Sequence, residues 1–114
     1  MSEKSNNNQG DAGRPAPKFN PGQVVMTRAC AEFLRERGLF TNGSEDPGPL
    51  IRALLDRHIS GDWGDVCPSD AQANNDALAE GDRLMSVYFV GDQKIWIITE
   101  WDRSVTTLLL PDDY

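Results

Sequence analysis

The feature that most constrains this chain is its C-terminal third, where residues 83–90, 94–101 and 105–110 are three runs rich in β-branched and aromatic residues. Gly91-Asp92-Gln93 separates the first two, and Asp102-Arg103-Ser104 separates the second from the third. Extended runs joined by tight turns pair as an antiparallel meander. Along the middle run Ile95, Ile97 and Thr99 fall on one face and Trp96, Ile98 and Glu100 on the other. Apolar residues on both faces predict a central strand covered by helices on at least one side.

The segments before the meander supply those helices. Residues 23–27 (QVVMT) form a short early strand. Thr27 then caps a helix over 28–37, with Ala29, Cys30, Phe33 and Leu34 at helical spacing. Gly38 is a left-handed stop, Leu39 and Phe40 fold back as an apolar clasp, and residues 41–48 (TNGSEDPG) are loop. A second helix starts at Asp46 or Gly48, with Pro49 in its first turn, and carries Leu50, Ile51, Leu54, Leu55, His58 and Ile59 as its stripe. A third, more polar helix runs from Pro68 or Ser69 to about residue 79, closed by Gly81. The fold class is therefore α+β, an antiparallel three- to four-stranded sheet with about three helices packed on one face.

Residues 1–20 have almost no apolar side chains and several Asn, Gly and Pro, too little to offset the ordering of the backbone. They read as a disordered tail, followed by a single domain over 21–114. Neither a secretory signal, nor a presequence, nor an apolar run long enough to span a bilayer is visible, which predicts a cytoplasmic protein with no membrane association. Cys30 and Cys67 suggest neither a disulfide scaffold nor a metal site, and both read as buried or idle thiols.

Charge divides the chain. Residues 21–59 hold five acids and five arginines, whereas residues 60–114 hold eleven acids against Arg83, Lys94 and Arg103. The net charge of −7 thus arises in the second half. Such a surface repels nucleic acid and anionic membranes and attracts basic partners.

Two polar clusters stand out. His58, the one histidine, precedes the GDWGD segment at 61–65, so His58, Asp62 and Asp65 have the residue types for a divalent ion or for acid–base work. The structural alternative makes His58 a helix-end donor and the aspartates turn residues, with Trp63 folded inward over the sheet. Glu100, Asp102 and Arg103 form the second cluster, where an Arg–carboxylate pair holds the turn or meets a partner's charge. Should the two loops meet, they form one polar pocket. The motifs of nucleotide-binding loops, zinc proteases and serine hydrolases are missing, and no cofactor is implied.

The strings RHISGDWGD (57–65), SVY (86–88) and IWIITEWDRSVTT (95–107), with Leu109-Leu110-Pro111 and Tyr114, resemble small bacterial proteins of plasmids and integrative elements. Some of these carry a plasmid-related label, others that of a type I restriction methylase subunit. The resemblance implies a mobile-element origin and no particular activity. A methylase needs a glycine-rich cofactor loop and a base-binding Asn/Asp-Pro-Pro-aromatic motif, and Pro111-Asp112-Asp113-Tyr114 is a different pattern. The chain is thus expected to be a non-enzymatic acidic binding protein contacting a protein partner, one version being mimicry of nucleic acid toward a basic nucleic-acid-binding protein. Its binding residues would be His58, Asp62, Trp63, Asp65, Glu100, Asp102 and Arg103. The alternative is a metal-dependent hydrolase using His58, Asp62 and Asp65.

Overall fold

A computed structural model describes residues 16–36 and 48–114. Strand β1 (Gln23–Met26) leads into helices α1 (Arg28–Glu36), α2 (Gly48–Ile59) and α3 (Pro68–Glu80). The meander β2 (Leu84–Val90), β3 (Gln93–Thr99) and β4 (Val105–Leu109) follows, then a 3-10 turn at Pro111–Asp113. The sheet order is β1-β4-β3-β2. The fold is α+β, three helices on a four-stranded, mostly antiparallel open sheet. The early strand joins it parallel to β4, from Gln23 beside Val105 to Met26 beside Leu108.

Register decides which side chains meet the helices. Tyr88 lies beside Ile95, Ser86 beside Ile97, and Ile97 in turn beside Leu108. Tyr88, Val90, Ile95, Ile97 and Leu108 pack with Cys30 and Leu34 of α1 and Leu54 of α2. A second cluster joins Trp63, Ala77 and Leu84, with Phe19, Val66, Ala71 and Leu78 against it. On the reverse face the Tyr114 ring meets Trp96 edge-on at 5.6 Å. Phe89 and Trp101 stay exposed at 52% and 65%.

The helix ends follow their residues. Thr27 Oγ1 accepts the Cys30 N–H at 3.2 Å, a cap worth about 1 kcal/mol. Gly81 takes φ 80° and donates its N–H to the Ala77 carbonyl, which closes α3. The stop at Gly38, the clasp of Leu39 and Phe40, and the loop at 41–47 lie outside the described residues, as does the tail at 1–15. Among the described residues no helix is long and apolar enough to cross a membrane.

Three details refine the expectations. Residues 16–20, assigned to the tail, lie against the domain: the Lys18 N–H donates to the Ile59 carbonyl at 2.7 Å and Phe19 packs on the second cluster. A lone aromatic ring in a polar stretch suffices to anchor it. Cys67 is exposed, with Sγ 3.2 Å from Ser69 Oγ, while Cys30 is buried as expected. The polar helix α3 is held by Asn74, which is buried and uses its side-chain amide as a strand mimic. Its Nδ2 donates to the Met85 carbonyl at 2.8 Å, and its Oδ1 accepts the Met85 N–H at 3.1 Å.

Candidate functional site

The last turn of α2 points His58 at the middle of the sheet, where Ser86, Thr99 and Thr106 interrupt the apolar face. All four are sealed, with Ser86, His58, Thr99 and Thr106 each 0% exposed. His58 Nδ1 is 2.6 Å from Ser86 Oγ and Nε2 is 2.8 Å from Thr99 Oγ1. Thr99 Oγ1 is 2.6 Å from Thr106 Oγ1, whose hydroxyl donates to the Pro21 carbonyl at 2.7 Å.

That terminal carbonyl sets the protons as far as Nε2, because it can only accept, and the neutrality of the ring then sets the one at Nδ1. Thr106 has given its proton to Pro21, so it accepts from Thr99. Thr99 therefore accepts from His58 Nε2–H, and Nδ1 accepts from Ser86. The imidazole is neutral, in the Nε2–H tautomer, with both nitrogens used. Burial, and secondarily the charge of Arg103, lowers its pKa from 6.5 to about 4. Phe19 and Trp63 meet its ring edge-on at 5.3 and 5.9 Å. The Ser–His approach has the spacing of a nucleophile and its base. With no solvent-facing atom, the pair can meet no substrate, and it serves to satisfy polar groups in the core.

The GDWGD segment covers the edge of β2. The Val87 N–H donates to the Trp63 carbonyl at 3.0 Å and the Asp65 N–H to the Val87 carbonyl at 2.7 Å. Gly64 is required there: its φ is 78°, and a Cβ would collide with the Val87 carbonyl oxygen and the Tyr88 ring. Trp63 turns inward, 5% exposed, and its indole N–H donates to Asn75 Oδ1 at 3.0 Å. Its ring is a core plug and does not present a contact surface, which removes Trp63 and His58 from the binding residues proposed on sequence.

Asp62 and Asp65 stay outside. Arg57 Nε donates to Asp62 Oδ2 at 2.7 Å and Nη2 to Oδ1 at 3.3 Å, and the guanidinium carbon sits 4.5 Å from the Tyr88 ring centre. The Tyr88 hydroxyl donates to the Asp62 carbonyl at 2.6 Å. The Arg57 hydrogen bond and charge hold the Asp62 carboxyl below its ordinary range, and burial pushes the Tyr88 phenol up to about 12. Asp65 lies 4.0 Å from Lys94 Nζ. Arg57, Asp62, Asp65, Tyr88 and Phe89 rim an open depression of about 360 Å³.

The second cluster is built differently from the expected Arg–carboxylate pair. Arg103, at φ 61°, donates to four backbone carbonyls: Asp82 at 2.6 Å, Ala77 at 2.9 Å, Glu100 at 3.1 Å and Trp101 at 3.2 Å. It ties the β3–β4 turn to the C-terminus of α3, where a cation suits the exposed carbonyls. Asp102 accepts the Ser104 N–H and hydroxyl, and Glu100 lies 3.7 Å from Arg83. The ring of Phe19 stands between the two clusters, 5.7 Å from the Arg103 guanidinium on one side and beside His58 on the other. Neither Glu100, Asp102 nor Arg103 lines the depression at Asp62, so the single shared pocket is not formed.

The geometry does not bring the three residues of the metal-hydrolase reading together as free ligands. The histidine is sealed and doubly engaged, and Asp62 is held by Arg57. Among the described residues no group of three His, Cys, Asp or Glu is placed to hold an ion. Sequence reasoning missed Ser86, Thr99, Thr106 and Asn74, whose only local signal is a polar residue at a core-facing position.

Comparison with protein-family models, with curated proteins and with solved structures finds no match.

Proposed function

We propose that this chain is a small, non-enzymatic acidic binding module of a bacterial mobile element, and that it engages a basic protein partner on the surface carrying Asp62, Asp65 and the outer side of α3. One observation carries the reading. Of the eleven carboxylates after residue 60, ten are exposed and Glu100 is half-exposed, whereas the three cations of that span are already engaged. Arg83 meets Tyr114 and Glu100, Lys94 meets Asp65, and Arg103 is consumed by carbonyls. Apart from Asp62 and Asp65, which are shared with Arg57 and Lys94, the outward field of that span is that of the carboxylates, which favours a lysine- and arginine-rich partner such as a nucleic-acid-binding protein.

The test is capture from a nuclease-treated bacterial lysate on immobilised full-length protein. The reading predicts a basic nucleic-acid-binding protein that elutes as salt rises and is lost when Asp62, Asp65, Asp76 and Glu80 are neutralised together. Capture insensitive to both salt and those substitutions would overturn it.

A further inference from the structure

The two edges of the sheet are unlike. At β2 the outward N–H and C=O of Met85 are taken by Asn74, and those of Val87 by Asp65 and the Trp63 carbonyl. At β1 the parallel ladder uses alternate residues: the Gln23 N–H donates to the Ser104 carbonyl and the Thr27 N–H to the Leu108 carbonyl. In that geometry the backbone groups of Val24 and Met26 point away from β4. Among the described residues nothing pairs with them. The strand is short, but Gln23–Met26 contains no charge, proline or bulge, and Val24 and Val25 are 40% and 38% exposed.

We propose that β1 is a homodimer interface, pairing antiparallel with β1 of a second copy about a twofold axis through Val25. Two features favour a copy of this chain as the occupant. Among the described residues β2 is covered at Met85 and Val87 while Val24 and Met26 are not, so pairing of β1 with β1 is isologous and closes at two chains. The charge also permits it: residues 16–36 hold Lys18, Arg28 and Arg35 against Glu32 and Glu36, and most of the later carboxylates lie in the GDWGD segment, in α3 and in the turns beyond it, with Asp113 bonded beside β1, at Thr27. An eight-stranded sheet separates the two β2 strands by seven strand spacings, about 34 Å, several times the Debye length of roughly 8–10 Å. Two chains of charge −7 therefore meet away from the carboxylates of α3 and the GDWGD segment.

The register is specific. Val24 and Met26 exchange reciprocal backbone hydrogen bonds with Met26 and Val24 of the other copy, and Val25 faces its own mate as a non-hydrogen-bonded pair, Cα to Cα about 4.5 Å. That spacing falls within the roughly 4.4–6.8 Å range of a disulfide.

The experiment uses the full chain. Wild type should sediment at twice the monomer mass at tens of micromolar. Val24→Pro, which removes an outward donor and leaves the β4 ladder intact, should sediment as a monomer with unchanged circular dichroism. In a Cys67→Ser background, Val25→Cys should oxidise to a covalent dimer, and Val24→Cys should do so at least several-fold more slowly. A wild type that stays monomeric, or a dimer in which both cysteine variants cross-link equally or neither does, would overturn the proposal. The cysteine pair decides the matter even where the proline variant fails to fold.

Discussion

Thr99 Oγ1 stands 2.8 Å from His58 Nε2 and 2.6 Å from Thr106 Oγ1, so one strand hydroxyl joins the last turn of α2 to the neighbouring strand inside a buried core. The histidine thereby holds its place as a neutral donor–acceptor bridge, and its behaviour with pH follows.

The unfolded imidazole titrates near 6.5 and the folded one near 4, so between those values the unfolded chain binds the extra proton. Stability from His58 is present above pH 6.5 and is lost as pH falls through the window toward 4. A shift of that size corresponds to roughly 3 kcal/mol. Urea unfolding across the window should show a decline that is flatter in His58→Gln than in wild type. At about pH 6, nitrogen chemical shifts should report neutral imidazole protonated at Nε2.

Thr99→Val keeps the shape and removes both hydroxyl contacts. It strands the His58 Nε2–H in the core and should cost about 1–3 kcal/mol. Denaturant midpoints of Thr99→Val and Thr106→Val check it, and their double variant should cost less than the sum of the two, since they share one network.

Asn74→Leu preserves bulk but leaves the Met85 N–H and C=O without their partner. We expect a loss of about 1–3 kcal/mol and faster amide exchange at Met85, with Val87 affected less because the GDWGD segment still covers it.

Gly64→Ala places a Cβ against the Val87 carbonyl at a positive φ. It should destabilise by at least about 1–3 kcal/mol and weaken the bridge that closes the β2 edge, read by unfolding and by exchange at Val87.

The meander was legible because period-two alternation broken by Gly91 and by 102–104 leaves few other readings, and the three helices because Thr27, Pro49, Pro68 and Gly81 punctuate them. The parallel docking of β1 on β4 was not, since nothing near Val24 records a partner eighty residues away. The site was half legible. His58 and the GDWGD segment were marked as unusual, but the partners of His58 look like ordinary strand residues at 86, 99 and 106. Arg103 sits among acids in sequence, while its guanidinium reaches back to the end of α3 through backbone carbonyls, which have no signature in the residue order.

The most direct test of the account is an amide-resolved NMR titration of the full chain with a lysine-rich peptide at low and high salt. The account predicts shifts at Asp62, Asp65, Asp76 and Glu80, reversed by salt, while the His58 and Trp63 side-chain signals stay in place. Shifts centred on His58 and Trp63, or on the Phe89 and Trp96 face and indifferent to salt, would contradict it.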